Sequence, residues 1–240
     1  MGWDRTQAEA SWSVTPNKDL TLRTVAYHHW MSRSWFKFNR FGSGLDPHKL
    51  LQEAPDTGQG GVYMAILRGE EDTATPEQAL FIGTNDRTFH AYGVQTAMRW
   101  LGRIGAVRHT LDAGVRLHGD HVQRFHTEEG HDMTAGELVR NDTDRLTTLD
   151  SVATAYALSA HVHEDFRWKM LHVLPGIRAE VIQTERIDKG TPALDPITRT
   201  ILLPGIGGMV DLTASWSVFG GTYRGFSPVP PGEEETVCLL

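Results

Sequence analysis

Residues 177–187 (IRAEVIQTERI) alternate between apolar and polar side chains. A period of two is typical of a β-strand that buries one of its faces. Strand signals, namely β-branched or alternating apolar positions between Gly, Pro or polar turns, recur along the chain. They fall in residues 20–27, 61–67, 79–83, 115–125, 198–203 and 209–223. The sequence therefore predicts about seven strands.

Three other segments carry helix signals. Apolar residues three and four apart predict amphipathic helices over residues 88–104 and 147–171, and Asp46-Pro47 predicts a short helix over residues 49–53. No regular strand–helix–strand repeat is visible, which favours an antiparallel sheet. We therefore expect a single α+β domain over residues 20–227. A loosely attached arm (residues 1–19) and a solvated tail (residues 228–240) are expected to flank it.

Composition indicates a soluble protein of the cytoplasm. The chain has 240 residues, 40% of them hydrophobic, which is enough for a sizeable core. It shows no run of about 18 apolar residues and no signal peptide, so no transmembrane segment is expected. The single cysteine, Cys238, excludes an intrachain disulfide. A net charge of −7 without basic runs makes nucleic acid an unlikely partner.

Histidine is abundant, and five of the 12 histidines fall between residues 109 and 132. Imidazole and carboxylate groups are ligands of zinc and iron, so His118, His121 and His126 are candidate ligands of a divalent metal. His126 and Glu128 are the candidate catalytic acid–base pair. Residues two apart share a face in a strand, so His118 and Asp120 should point one way and His121 the other. A solvated histidine-rich loop is the competing interpretation.

Two classes of function remain open. The first is an enzyme that uses this cluster for hydrolytic or acid–base chemistry on a small-molecule substrate. The alternative is a non-catalytic subunit of a larger particle, with a protein partner or further copies of itself. That alternative rests on the aromatic segment at residues 30–41 and on the absence of a complete catalytic motif.

A third and more distant possibility is a nuclease. Gly61-Val62-Tyr63, followed by Phe81-Ile82-Gly83, resembles the opening hairpin of the GIY-YIG nucleases. The resemblance covers about 50 residues and implies that Tyr63 faces a metal-bound phosphate. Phe81 stands where the family has its second tyrosine, and Ala91 stands where the family has its arginine.

Overall fold

The structure is a computed structural model that describes residues 2–52, 58–191 and 195–227. Within these residues the chain forms nine β-strands, two α-helices and one 3₁₀ turn at Pro76–Gln78. The helices are α1 (Pro47–Gln52) and α2 (Gly58–Arg68). The strands are β1 (Gly2–Asn17), β2 (Leu20–Phe41), β3 (Leu80–Ile104), β4 (Val107–Thr134), β5 (Glu137–Arg140), β6 (Leu146–Trp168), β7 (Leu171–Asp188), β8 (Ile197–Asp211) and β9 (Ser217–Tyr223).

All nine strands belong to one antiparallel sheet in which neighbours in sequence are neighbours in space. The order is β1-β2-β3-β4-β6-β7-β8-β9, and β5 pairs with the end of β4. Strand accounts for 72% of the structure and helix for 9%. The prediction of an α+β domain with about seven strands and three helices is therefore wrong.

The error lies in two segments that were predicted as helices. Residues 88–104 belong to β3, and residues 147–168 belong to β6. Some of their apolar residues are four apart, as Val94 and Met98 in β3 or Tyr156 and Ala160 in β6, and this spacing fits a period of two as well as a period of 3.6. Conversely, residues 61–67, predicted as a strand, lie in α2. The short helix after Asp46-Pro47 is confirmed as α1.

The register of the sheet gives it two chemically different faces. Ala26, Val94, Leu117, Leu158 and Val181 lie opposite one another on five adjacent strands. Directly opposite residues of antiparallel strands point to the same side, so this row belongs to one face, the apolar face.

The next row along the strands points to the other side. It contains Gln95, Arg116, Ser159 and Glu180, and we call this side the polar face. The alternation predicted for residues 177–187 is confirmed in β7, where it divides side chains between the two faces.

The two ends of the sheet are built differently. At one end the strands are joined by short turns, as between Ile104 and Val107 or between Trp168 and Leu171. Gly105 and Lys169 take positive φ angles in these two turns, 60° and 51°. At the other end the connections are longer, and the longest runs from Phe41 to Leu80 and contains both helices.

The main hydrophobic cluster of the described residues lies at this long-connection end. Ile66 of α2 and Leu50 of α1 pack there with Phe41, Leu80 and Met133, which lie near the strand ends. Tyr63 also lies on α2, and its ring is 4.4 Å from that of Phe41. The hairpin implied by the nuclease resemblance is therefore not formed, because Tyr63 is on a helix.

The arm predicted for residues 1–19 is part of the sheet, since Gly2–Asn17 pairs with β2 from Gly2 to Asn17. The tail predicted for residues 228–240, including Cys238, lies outside the described residues. In the described part of the chain, neither helix has the length and hydropathy that a membrane crossing requires.

Candidate functional site

A groove of about 670 Å³ lies on the polar face. Its floor is formed by the small side chains of Ala153, Ala155 and Ala157 on β6. Two charged walls rise from the neighbouring strands, with His118 on β4 and Arg178 on β7 among the lining residues. Small residues on the middle strand leave the volume open, because the longer side chains on either side do not fill it.

The β4 wall is a hydrogen-bonded chain of four side chains. Arg116 donates to the Tyr27 oxygen from Nε (3.0 Å) and Nη2 (2.7 Å). Tyr27 Oη lies 2.7 Å from His118 Nδ1, and His118 Nε2 lies 2.8 Å from Asp120 Oδ2. A carboxylate can only accept, so His118 donates from Nε2 to Asp120, and its Nδ1 faces two donors, the Tyr27 hydroxyl and Arg116 Nη2 at 3.2 Å. The wall therefore has fixed donor and acceptor positions.

The β7 wall contains a second polar cluster. Arg178 forms an ion pair with Glu180 and donates from Nη2 to Ser159 Oγ at 3.2 Å. Ile182 and Thr184 continue the wall along the same strand. The groove thus presents charged and hydrogen-bonding groups on both sides of an apolar floor, a combination suited to holding a small molecule.

The predicted facing of His118 and Asp120 is confirmed, because both lie on the polar face and hydrogen-bond to each other. His121 lies on the opposite face. Its ring is 5.8 Å from that of His90, and its buried Nδ1 has no hydrogen-bond partner.

His126 and Glu128, the predicted acid–base pair, lie on the polar face toward the long-connection end. Glu128 is 7% exposed and accepts hydrogen bonds from Asn39 Nδ2 (2.9 Å) and Arg40 Nε (3.1 Å). Burial lowers the pKa of His126, and the cations Arg87, Lys37 and Arg124 lower it further, while Asp86 opposes them. Its buried Nε2 has no partner. The carboxylate is thus engaged by other residues, and the imidazole lies in a cationic environment.

The structure does not bring the three predicted metal ligands together. His118 and His126 are eight residues apart on one strand, which is ~26 Å at ~3.3 Å per residue. His121 points to the other side of the sheet. Among the described residues no group of three or more His, Cys, Asp or Glu side chains is arranged to hold a metal ion. Binding of zinc or iron elsewhere stays a prediction.

Sequence reasoning missed Tyr27 and Arg116, which complete the β4 wall. Tyr27 reaches His118 from a strand 91 residues earlier in the chain, across the intervening β3. The alternation within β4 was the only available signal, and it could have placed Arg116 on the face of His118.

Comparison with known proteins gives relatives by structure alone. No protein-family model matches the sequence, and no curated protein matches it. Among solved structures, the ferric citrate transporter FecA has a TM-score of 0.66 and 15% identity, over 91% of this chain and 27% of that one.

Two further structures show the same similarity. BauA, the ferric preacinetobactin receptor from Acinetobacter baumannii, has a TM-score of 0.59 and 8% identity, over 91% of this chain and 30% of that one. The ferric-catecholate import receptor Fiu from E. coli K12 has a TM-score of 0.58 and 12% identity, over 94% of this chain and 36% of that one. The chain spans about a quarter to a third of the length of these structures, and at such identities the likeness shows the fold.

These findings contradict four predictions made from the sequence. The solved structures that share the fold are a ferric citrate transporter, a ferric preacinetobactin receptor and a ferric-catecholate import receptor, so the predictions of a soluble α+β hydrolase and of a cytoplasmic location are wrong. The predictions of a particle subunit and of a nuclease are contradicted by the same finding. The reason is physical: the apolar residues that were assigned to a core lie instead on an open face of one sheet.

Proposed function

We propose that this chain forms part of the wall of an outer-membrane transporter that takes up a small molecule, with the apolar face toward lipid and the polar face toward the transport path. The observation that carries the proposal is the division of one long-stranded sheet into these two faces. A wall between lipid and water requires this division, since each strand must alternate between the two environments.

Exposure of the apolar face supports this assignment. Val94, Leu117 and Leu158 are 46%, 59% and 46% exposed, although they lie in the middle of the sheet. Each strand makes its extensive contacts with the strands that pair with it, so the sheet is a single layer around these residues. Contiguous exposed apolar surface marks a binding or membrane surface, because leaving it in water is unfavourable.

Aromatic residues border the apolar face at both ends. Tyr92 and Tyr156 lie toward the long connections, and Trp100, Phe166 and Trp168 lie toward the short turns. Tyr156 and Phe166 are ten residues apart on β6. That is about 34 Å along the strand and ~26 Å in height at a tilt of ~40°. Transmembrane barrels carry an apolar band of about 25 Å between aromatic girdles.

The connections follow the same pattern. Transmembrane barrels have short turns on the periplasmic side and longer loops outside the cell. The short-turn end of this sheet would then face the periplasm, and the end with α1 and α2 the outside. The groove lined by Arg116, His118 and Arg178 lies between the two ends, on the polar face.

A matched pair of substitutions on β3 tests the proposal. Val94 lies on the apolar face and Gln95, the next residue, on the polar face. We expect Val94→Arg to reduce insertion of the full chain into lipid vesicles, because an arginine on the lipid face costs from about 1 kcal/mol near an interface to about 4 kcal/mol at the bilayer midplane. Gln95→Arg should insert as the unmodified chain does. Insertion is measured as the fraction that floats with vesicles and resists extraction by carbonate. Equal insertion of the two variants, or no insertion of the unmodified chain, would contradict the proposal.

A further inference from the structure

A row of three arginines crosses the polar face at the long-connection end. Arg33 on β2 lies opposite Arg87 on β3, and Arg87 lies opposite Arg124 on β4. Side chains directly opposite each other start ~5 Å apart, and like charges in such positions destabilise a sheet. The chain carries a net charge of −7, so the row is a local concentration of positive charge in an acidic protein.

No carboxylate among the described residues forms an ion pair with these three arginines. Arg87 donates to the Asn85 amide oxygen at 2.8 Å, and Arg33 lies over the Trp35 ring at 4.3 Å. The nearby acid Asp188 is held by Arg186 at 2.9 Å, and Glu128 is held by Arg40 at 3.1 Å. These two acids are therefore engaged by other cations and form no ion pair with the row.

Two atoms of the row are buried without a hydrogen-bond partner. They are the Nε atoms of Arg33 and Arg124. A buried donor without a hydrogen-bond partner is unfavourable, and more so when the group is charged. Burial, together with the neighbouring Arg124 and Arg33, lowers the pKa of Arg87. This arrangement favours a negatively charged partner that accepts several hydrogen bonds.

One further cation, Lys37 on β2, extends the row toward the long connections. His126 of β4 lies on the same face between the row and Lys37, where burial and the neighbouring cations lower its pKa. The five side chains lie beyond the aromatic residues that border the apolar face, on the side of the sheet that the proposed function turns away from lipid. A phosphate of a lipid headgroup would approach the other face, so a small dissolved anion is the better fit.

We propose that Arg33, Arg87 and Arg124 form a binding site for a small, multiply charged anion on the polar face. The inference goes beyond the proposed function, since anion binding itself needs only the polar face. Arginine is suited to this role because its planar guanidinium binds carboxylate oxygens in bidentate pairs and stays charged.

Two inert metal chelates of similar shape test the proposal. The probes are chromium(III) tris-oxalate, a trianion, and chromium(III) tris-acetohydroxamate, which is neutral. We expect the full chain in detergent micelles to bind the trianion at least tenfold more tightly than the neutral chelate in calorimetric titrations. Raising the salt concentration should reduce binding of the trianion alone, because salt screens charge. Equal affinity for the two chelates, or no binding of either, would overturn the inference.

Matched variants locate the site. Arg87→Gln should weaken binding of the trianion about tenfold or more. Arg87→Lys should weaken it less, because the charge is kept and the bidentate geometry is lost. Arg108→Gln removes the same charge from the polar face at the short-turn end and should leave affinity unchanged. Equal losses for Arg87→Gln and Arg108→Gln would overturn the site.

The flotation test of Val94→Arg and Gln95→Arg is independent of this titration. Selective anion binding without insertion into vesicles would contradict the transporter proposal and support the anion site. Insertion into vesicles without selective anion binding would contradict the anion site and support the transporter proposal.

Discussion

On the polar face, His118 is held between Tyr27 and Asp120 by hydrogen bonds of 2.7 and 2.8 Å. The arrangement fixes both the tautomer and the orientation of the imidazole, and Arg116 fixes the phenol in turn. The site thus has a rigid wall of defined polarity beside a floor of alanines. Rigidity of this kind lowers the entropy that a bound molecule and its contacts lose.

His126 provides a prediction at this scale. Its imidazole should titrate below its ordinary pKa of ~6.5, because burial and the cations Arg87, Lys37 and Arg124 disfavour the charged form. Between the lowered pKa and ~6.5 the unfolded chain binds more protons than the folded chain. This difference makes the free energy of unfolding fall as the pH falls through that window.

An NMR titration of the His126 ring in micelles measures this pKa. Arg124→Gln should raise the midpoint, since it removes one of the neighbouring charges, whereas Arg108→Gln should not move it. A midpoint at or above 6.5 in the unmodified chain, or one that Arg124→Gln leaves in place, would contradict the described environment.

The sequence predicted part of this site and not the rest. The period of two within β4 correctly placed His118 and Asp120 together and His121 apart. Tyr27 was not recognised, since it joins the site through pairing of β2 with β3 and of β3 with β4. A local pattern carries no information on which distant strand lies alongside, so three histidines close in sequence suggested a cluster that the sheet separates.

At the scale of elements, β6 shows why helix and strand were confused. Val152, Tyr156 and Ala160 are four residues apart and would line one side of a helix as readily as one side of a strand. The residues between them settle the matter, since Leu158 and Val162 also lie on the apolar face. Apolar side chains at alternate positions from Tyr156 to Val162 are the pattern of a half-exposed strand, and the small alanines of the polar face obscured it.

The helices at the long-connection end allow an elementary test of packing. Ile66 on α2 is fully buried against Leu50 and Phe41, whereas Leu51 on α1 is 63% exposed. We expect Ile66→Ala to lower the free energy of unfolding by about 2–5 kcal/mol, the usual cost of such a cavity. Leu51→Ala should change it by less than about 0.5 kcal/mol. Urea unfolding of both variants provides the comparison, and similar losses would show that α2 does not pack as described.

At the scale of the whole molecule, composition caused the largest error in the predicted fold. A hydrophobic content of 40% was interpreted as a core, but only nine apolar residues are buried among the described ones, and five of these form the cluster below the helices. The remaining apolar residues are largely on an open face. Composition counts apolar side chains without saying whether protein or lipid covers them, and the alternation that distinguishes the two cases is weak in each single strand.

The central claim is that the apolar face contacts lipid and the polar face contacts water. Nitroxide spin labels placed one at a time at positions 155–160 of β6, in a Cys238→Ser background, test it directly on the chain in lipid vesicles. Labels at 156, 158 and 160 should collide mainly with oxygen, which concentrates in the bilayer. Labels at 155, 157 and 159 should collide mainly with a water-soluble nickel chelate, so accessibility should alternate with a period of two. Nickel accessibility that is equal at odd and even positions would contradict the claim, because neither face would then be covered by lipid.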